Sequence, residues 1–455
     1  MTFPSYPAYK DSGVEWLGEV PEHWTVIALK WLSPVFRGAS PRPIDDPIYF
    51  DDEGEFGWVR IADVTASPDG YLYETTQKLS ALGSSLSVKL DPGELFLSIA
   101  GSVGKPCITK IKACIHDGFV YFPWLSIDQR LLYRVFESGL CFGGLGKMGT
   151  QLNLNTDTVG GIIIAVPPAP ELSKALTFLD HETARIDALI EEQQRLIKLL
   201  KEKRQAVISH SVTKGLDPTV SMKDSGVEWL GEVPAHWRVC KLSFRYSVEL
   251  GKMLDEKRNT GANPVPYLRN QDVQWGTVNI DELPLMDIEP AEYGRYTVRL
   301  GDLLVCEGGD VGRAAIWRHI DRTIGYQKAL HRLRPESLKH DTAEFFFYTL
   351  MAAKSLGVFE ESDTKATISH LPAEKFRQYR FAFPPLEEQQ NIAAVMGEIL
   401  ERSNETISYA ERTITLLQER RSALISAAVT GKIDVRGWQP PASAQAPELA
   451  VAEAV

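Results

Sequence analysis

Between Leu172 and Val207 the core-facing positions advance in alternating steps of four and three. They run Leu172, Leu176, Leu179, Thr183, Ile186, Ile190, Gln193, Ile197, Leu200, Arg204 and Val207. An average step of 3.5 keeps one face of a helix on its neighbour, which is the left-handed coiled-coil period. The pattern predicts a long helix over 171–212, entered through Pro167-Pro168. Adding 217 to each number gives a second seam: Gln389, Ala393, Met396, Leu400, Ser403, Ile407, Ala410, Ile414, Leu417, Arg421 and Leu424. It also follows a proline pair, Pro384-Pro385, and two such seams most simply pack on each other.

Elsewhere the apolar signal is short and mixed. Extended stretches are expected at 57–64 (GWVRIADV), 94–100 (ELFLSIA) and 118–122 (GFVYF), between Gly, Pro and Asp turns, with a helix at 128–138 (DQRLLYRVFES). This reads as a compact α/β unit and not as a doubly wound nucleotide fold.

The chain is one unit written twice. KDSGVEWLGEVPEHW at 10–24 returns at 223–237 with a single change, 213 positions later. The first phrase, at 1–24, is expected to tether the chain start to the helical scaffold, with direct contact to a partner as the alternative. The middles correspond too: YLRNQDV at 267–273 matches WVRIADV at 58–64, setting Arg269 against Arg60 and Asp272 against Asp63. LGDLLVCEGGDVGRAAI at 300–316 matches DPGELFLSIAGSVGKPCI at 91–108, and ATISHL at 366–371 lies opposite GTQLNL at 149–154. The expected fold class is mixed α/β: two globular α/β domains joined by two long antiparallel coiled-coil helices, with an internal pseudo-twofold repeat. The expected segments are a first globular domain at 1–165, a first helix at 166–218, a second globular domain at 219–383, a second helix at 384–436 and a disordered Ala/Pro-rich tail at 437–455. Leu189, Leu196 and Leu199 form a second apolar stripe, which either docks a partner or thickens the intramolecular core.

Composition narrows the function. The 455 residues leave room for two to four domains, and 44% hydrophobic content is that of an ordinary globular protein. No apolar run reaches the roughly 18 residues of a membrane span, and MTFPSYPAYKDSG lacks the apolar centre of a signal peptide, so a soluble cytoplasmic chain is expected. The five cysteines show no C-x-x-C spacing and read as buried free thiols; the nine histidines form no ligand cluster, so no metal is expected. A net charge of −11 argues against a binder of nucleic acid by charge alone. Residues 1–165 carry 13 basic and 19 acidic side chains, whereas 219–383 carry 22 and 23. The first domain therefore needs local clustering of cations, or a partner, to hold DNA.

Gly101-Ser-Val-Gly-Lys105 resembles part of a phosphate loop, but the full pattern needs a helix after the lysine, and Pro106 follows. A Gly-rich turn that brings backbone and one cation to a DNA phosphate is one reading, a plain hairpin turn the other. A base-amine methyltransferase would need Asn or Asp before Pro-Pro-aromatic, yet Val166, Phe383 and Gln439 precede the proline pairs. No catalytic site is found. Candidates for DNA contact are Arg60 and Arg269, Lys105 and Arg313, Lys147 with Thr150 and Gln151, Lys365 with Thr367, and Gln327 with Lys328. Arg and Lys suit guanine edges or phosphates and Gln suits adenine, although each alone equally suits a solvated surface.

The doubled KDSGVEWLGEVPxHW phrase, the helices ending LLKEKRQAVISHSVTKGLD and LLQERRSALISAAVTGKID, and the LxxGDLLxxxxGxVG-like turn together resemble the specificity (S) subunit of type I restriction-modification systems. The resemblance spans nearly the whole chain outside the tail. It implies two target recognition domains, each reading half of a bipartite site in double-stranded DNA, spaced by the helices. It implies a non-catalytic subunit that joins two methyltransferase (M) subunits and, in the full complex, restriction (R) subunits. S-adenosylmethionine, ATP and Mg are implied only in those partners. The alternative from another class is a structural coiled-coil adaptor whose globular ends bind proteins.

Overall fold

A computed structural model describes residues 3–67, 69–145, 154–254, 260–320, 322–360 and 370–440. The chain divides into two compact units, residues 1–192 with 413–455, and residues 193–412.

In the first unit a five-stranded sheet runs in the order Phe36–Arg37, Phe119–Tyr121, Leu95–Ser98, Pro106–Thr109, Tyr71–Leu72. A four-stranded sheet runs Gln77–Leu79, Phe56–Val59, Ala113–Ile115, Val88–Leu90. Most neighbours are antiparallel, but Ala113–Ile115 pairs in parallel with Phe56–Val59, and Pro106–Thr109 with Tyr71–Leu72. The helix Gln129–Glu137 begins where Asp128 accepts from the Arg130 amide, and it buries Leu131, Leu132, Val135 and Phe136. The stretch 57–64, expected to be extended throughout, is a strand only over Phe56–Val59; Ile61–Ala66 is a short helix. Its Asp63 takes the Arg60 amide at 2.8 Å, so a local cap overrides the strand preference of Val and Ile.

The second unit holds a four-stranded sheet, Tyr246–Leu250, Leu330–Pro335, Leu303–Cys306, Ala314–Ile316, and a three-stranded one, Leu285–Asp287, Pro264–Leu268, Gly325–Tyr326. The longest helix of its globular part is Ala343–Ser355, N-capped by Thr342. All five cysteines are free and buried, and burial pushes their thiols up, Cys107 to about 12 and Cys114 to about 11. No helix among the described residues is long and apolar enough to cross a membrane.

The expected long helices are Ala169–Lys214 and Leu386–Val429. The seam positions are their covered positions: Leu172, Leu176, Leu179, Thr183 and Ile186 are buried in the first unit, Gln389, Met396, Ile407 and Ala410 in the second. In the first unit Leu172, Leu176, Leu179 and Ile186 share a core with Leu424, Ile425, Ala428 and Val429. In the second, Ile208 and Val212 share a core with Ile392 and Met396. Within each unit the start of one helix thus lies beside the end of the other, an antiparallel pair.

The repeated phrase explains how each end is held. In the first unit Glu171, at the start of one helix, accepts from the Tyr6 hydroxyl at 2.6 Å and the Trp24 indole at 2.7 Å, and pairs with His23 at 2.8 Å. The same phrase receives the end of the other helix: Lys432 Nζ donates to Glu19 O at 2.7 Å, and a Cβ on Gly431, at φ +68°, would lie 2.3 Å from Pro21. In the second unit Glu388 accepts from His236 and Trp237 at 2.8 and 3.0 Å, while Lys214 Nζ donates to Glu232 O. The expected tether is therefore a clamp on two helix ends. Trp438, within the stretch read as a tail, packs edge-on against Phe178, and 441–455 lie outside the described residues.

The units differ in how the helix of the globular part, Gln129–Glu137 or Ala343–Ser355, braces on the long helices. Arg134 bonds Asp180 and Glu137, both at 2.8 Å, and Arg421 joins Glu137 at 2.9 Å to Asp187 at 2.8 Å. At the corresponding places of the second unit, Tyr348 faces Gly397, Met351 replaces Glu137, and Arg204 donates to neutral Asn404 at 2.8 Å. Without the ionic brace, a cavity of about 510 Å³ opens beside Gly397, Phe347 and Tyr348.

Candidate functional site

Two segments distant in sequence meet in each unit, and a third begins beside them, at Phe142 and Phe359. The first is the capped turn after a strand. In the first unit the Arg60 guanidinium is exposed and has no partner among the described residues. In the second, Arg269 donates its own amide to Asp272 at 2.7 Å, and its guanidinium grips the same carboxylate through Nε at 2.9 Å and Nη2 at 2.8 Å. Asp272 is buried. The two arginines thus share a backbone role, but only Arg60 presents an uncommitted fork.

The second segment is the Gly-rich turn. Gly101 sits at φ +66° against Ile61, and Gly104 at φ +84° against the ring of Phe142. Lys105 Nζ donates to Thr65 O at 3.1 Å, which ties the turn to the helix that Arg60 caps. The second unit repeats this: Gly309, at φ +69°, lies over Asn270, and Gly312, at φ +82°, lies over Phe359. Arg313 donates to Asn270 O at 3.0 Å and its side chain is only 15% exposed, so it pins the turn from within. Left-handed φ at each of these positions explains the glycines.

The third segment follows Phe142 and Phe359. Lys147, Thr150 and Gln151, and likewise Lys365 and Thr367, lie outside the described residues. Its far end in the second unit is visible: His370 pairs with buried Glu307 at 3.1 Å, and Leu371 N donates to Glu307 O. Burial lifts the Glu307 carboxyl above the usual range, against the pull of His370 and Lys328.

Gln327 and Lys328 form a strand-to-strand turn beside this constellation, with Gln327 N donating to Leu268 O at 3.0 Å. Lys328 is exposed and Gln327 half-buried. The first unit has the same turn at His116-Asp117, which sequence reasoning passed over because the side chains differ. Arg37, Ser40 and Arg42 surround it: Arg37 Nε donates to Asp117 O, and Ser40 and Arg42 bond the Asp117 carboxylate, each at 3.1 Å. The usable signal was the glycine shared by RGAS and LGKM, Gly38 and Gly251, 213 positions apart.

On the helices Leu189, Leu196 and Leu199 are exposed, as is Leu416, the repeat counterpart of Leu199. They do not thicken the core. Among the described residues no group of three His, Cys, Asp or Glu side chains is placed to hold a metal ion.

Comparison with known proteins fits this doubled arrangement. The family model for the type I restriction modification DNA specificity domain matches residues 244–413. The MjaVIII specificity subunit of Methanocaldococcus jannaschii is 23% identical over 434 residues, 92% of this chain and 94% of that one. The EcoKI specificity subunit of Escherichia coli is 24% identical over 305 residues, 63% of this chain and 62% of that one, so the match spans just under two thirds of that relative. Among solved structures, a chain from a study of complex assembly and conformational transition in a type I restriction-modification system aligns with TM-score 0.66 at 16% identity, over 91% of this chain and 99% of that one. The HsdS subunit of Thermoanaerobacter tengcongensis aligns with TM-score 0.54 at 16% identity, over 91% and 98%. Over residues 244–413 the chain thus resembles the type I restriction modification DNA specificity domain, and over 91% of its length, with its duplicated α/β domains and two antiparallel helices, it shares the fold of these two solved chains.

Proposed function

We infer that this chain is the DNA-sequence-recognition subunit of a type I restriction-modification complex. It carries no catalysis of its own. The first reader, 1–165, and the second, 219–383, each address one half of a bipartite duplex site, and the helical segments 166–218 and 384–436 set the gap between halves. Leu189, Leu196 and Leu199 dock two adenine-methyltransferase subunits, which bring S-adenosylmethionine, while restriction subunits bring ATP and Mg. The observation that carries the reading is the recurrence of one constellation, capped turn, Gly turn and strand-to-strand turn, with different side chains on the same backbone. Conserved framing with changed tips is what two readers of different half-sites require, because phosphate contacts position a reader and side chains at base edges specify.

Replacing residues 25–165 with the reader of another specificity subunit tests this. The expected outcome is a methylation motif in which one half changes and the other persists. An unchanged motif would instead favour a coiled-coil adaptor whose ends bind protein.

A further inference from the structure

The strand-to-strand turns of the two units are the same object with the charge moved. In the first unit Gly38 N donates to Phe119 O at 2.9 Å, Ala39 N to Ile115 O at 3.1 Å, and the turn closes through Phe119 N to His116 O at 3.1 Å. In the second, Gly251 N donates to Leu330 O, Lys252 N to Tyr326 O and Leu330 N to Gln327 O, all at 3.0 Å. A Cβ on Gly38 would lie 2.2 Å from His116 O, and one on Gly251 2.2 Å from Gln327 O, so both turns press equally close on the preceding strand. This equivalence puts His116 at the place of Gln327 and Asp117 at the place of Lys328.

A carboxylate at the place of an exposed lysine reverses the sign at the tip of the first reader. The preceding strand restores it. Arg42, 73% exposed, offsets the Asp117 carboxylate, whereas Arg37 spends only its Nε on a neutral carbonyl and keeps its charge. The counterparts of these arginines 213 positions on are Leu250 and Asp255, so the cations belong to the first unit alone. Burial holds the His116 imidazole below its ordinary range, and the charges of Arg60 and Arg37 add to this against the pull of Asp117. Two arginines therefore hold one turn of a domain that is acidic in sum.

We propose that Arg37 and Arg42, positioned by Asp117 and Ser40, are the first reader's contacts to the DNA phosphate backbone, taking the place that Lys328 holds in the second. This rests on the DNA-recognition reading above and names residues that the sequence did not reveal.

The test uses the full chain with its methyltransferase and a duplex carrying the methylated site of the wild-type complex. Arg37→Ala with Arg42→Ala is expected to weaken binding about 10- to 100-fold at physiological salt and to make the slope of log K against log salt shallower by about 1 to 2. Arg37→Lys with Arg42→Lys is expected to retain the slope, which separates lost charge from lost folding. Lys328→Ala is expected to make the slope shallower by about 1. Unchanged affinity and slope in the double alanine variant would overturn the proposal. So would an equal loss in the charge-matched variant Lys78→Ala with Lys89→Ala, whose exposed lysines bond neither the turn nor its arginines. A wild-type complex that methylates no defined site would refute the DNA-recognition reading itself, and the proposal with it.

Discussion

Removing the Glu171 carboxylate leaves the Trp24 indole and the Tyr6 hydroxyl, both buried, without an acceptor. Each orphaned donor costs about 1–3 kcal/mol, so Glu171→Ala is expected to destabilise the first unit by about 2–6 kcal/mol. Glu388 serves two donors and is more exposed, so Glu388→Ala is expected to cost less. Hydrogen exchange distinguishes them: Glu171→Ala speeds exchange in 9–24 and spares 222–237. Burial alone would raise the Glu171 carboxyl, but bonds from Tyr6, His23 and Trp24 together hold it below the ordinary range. A carboxyl depressed in the folded state stabilises above its unfolded value, about 4.3, and that contribution fades as pH falls through the folded value. Protection of 9–24 is thus expected to hold at neutral pH and weaken below about pH 4.3. At this scale the sequence was partly legible. A repeated Trp24 and Trp237 announced a conserved packing need, but their acceptors lie about 150 residues away and carry no local signal. Arg37 and Arg42 were hidden for the same reason, since their partner Asp117 is distant and its repeat counterpart has the opposite charge.

The long helices were the most legible element, because coverage along a paired helix follows the sequence period directly. Every step of the seam through Gln193, Ile197, Leu200 and Arg204 is more covered than its neighbours at 194–196, 198–199 and 201–203. Short elements were less so: 61–64 has the composition of a strand, and only the Arg60–Asp63 cap turns it into a helix. Met396 is fully buried, and Met396→Ala is expected to cost about 2–5 kcal/mol through the lost contacts and the cavity left behind. Leu199→Ala with Leu416→Ala, at side chains 52% and 65% exposed, is expected to change stability by no more than about 0.5 kcal/mol each while reducing methyltransferase retained in pull-down. Thermal unfolding and pull-down on the same preparations check both halves. Full retention of methyltransferase by the double variant would remove these leucines from the docking surface.

For the molecule as a whole, a net charge of −11 and a first reader poor in cations mean that electrostatics cannot hold DNA everywhere. On the proposed reading, recognition rests on a few placed groups, such as the arginines at the His116-Asp117 turn, and on partner subunits. On the same reading, duplication of the domain supplies two such points of contact, and differences between the copies supply two sequences. The central claim is best tested by single-molecule sequencing of modified adenine in DNA from cells that express this chain with its methyltransferase, beside cells that lack the chain. The account predicts a bipartite motif, two unlike half-sites with a fixed gap, present only with the chain. An active methyltransferase that yields no motif, or the same motif without the chain, would contradict it.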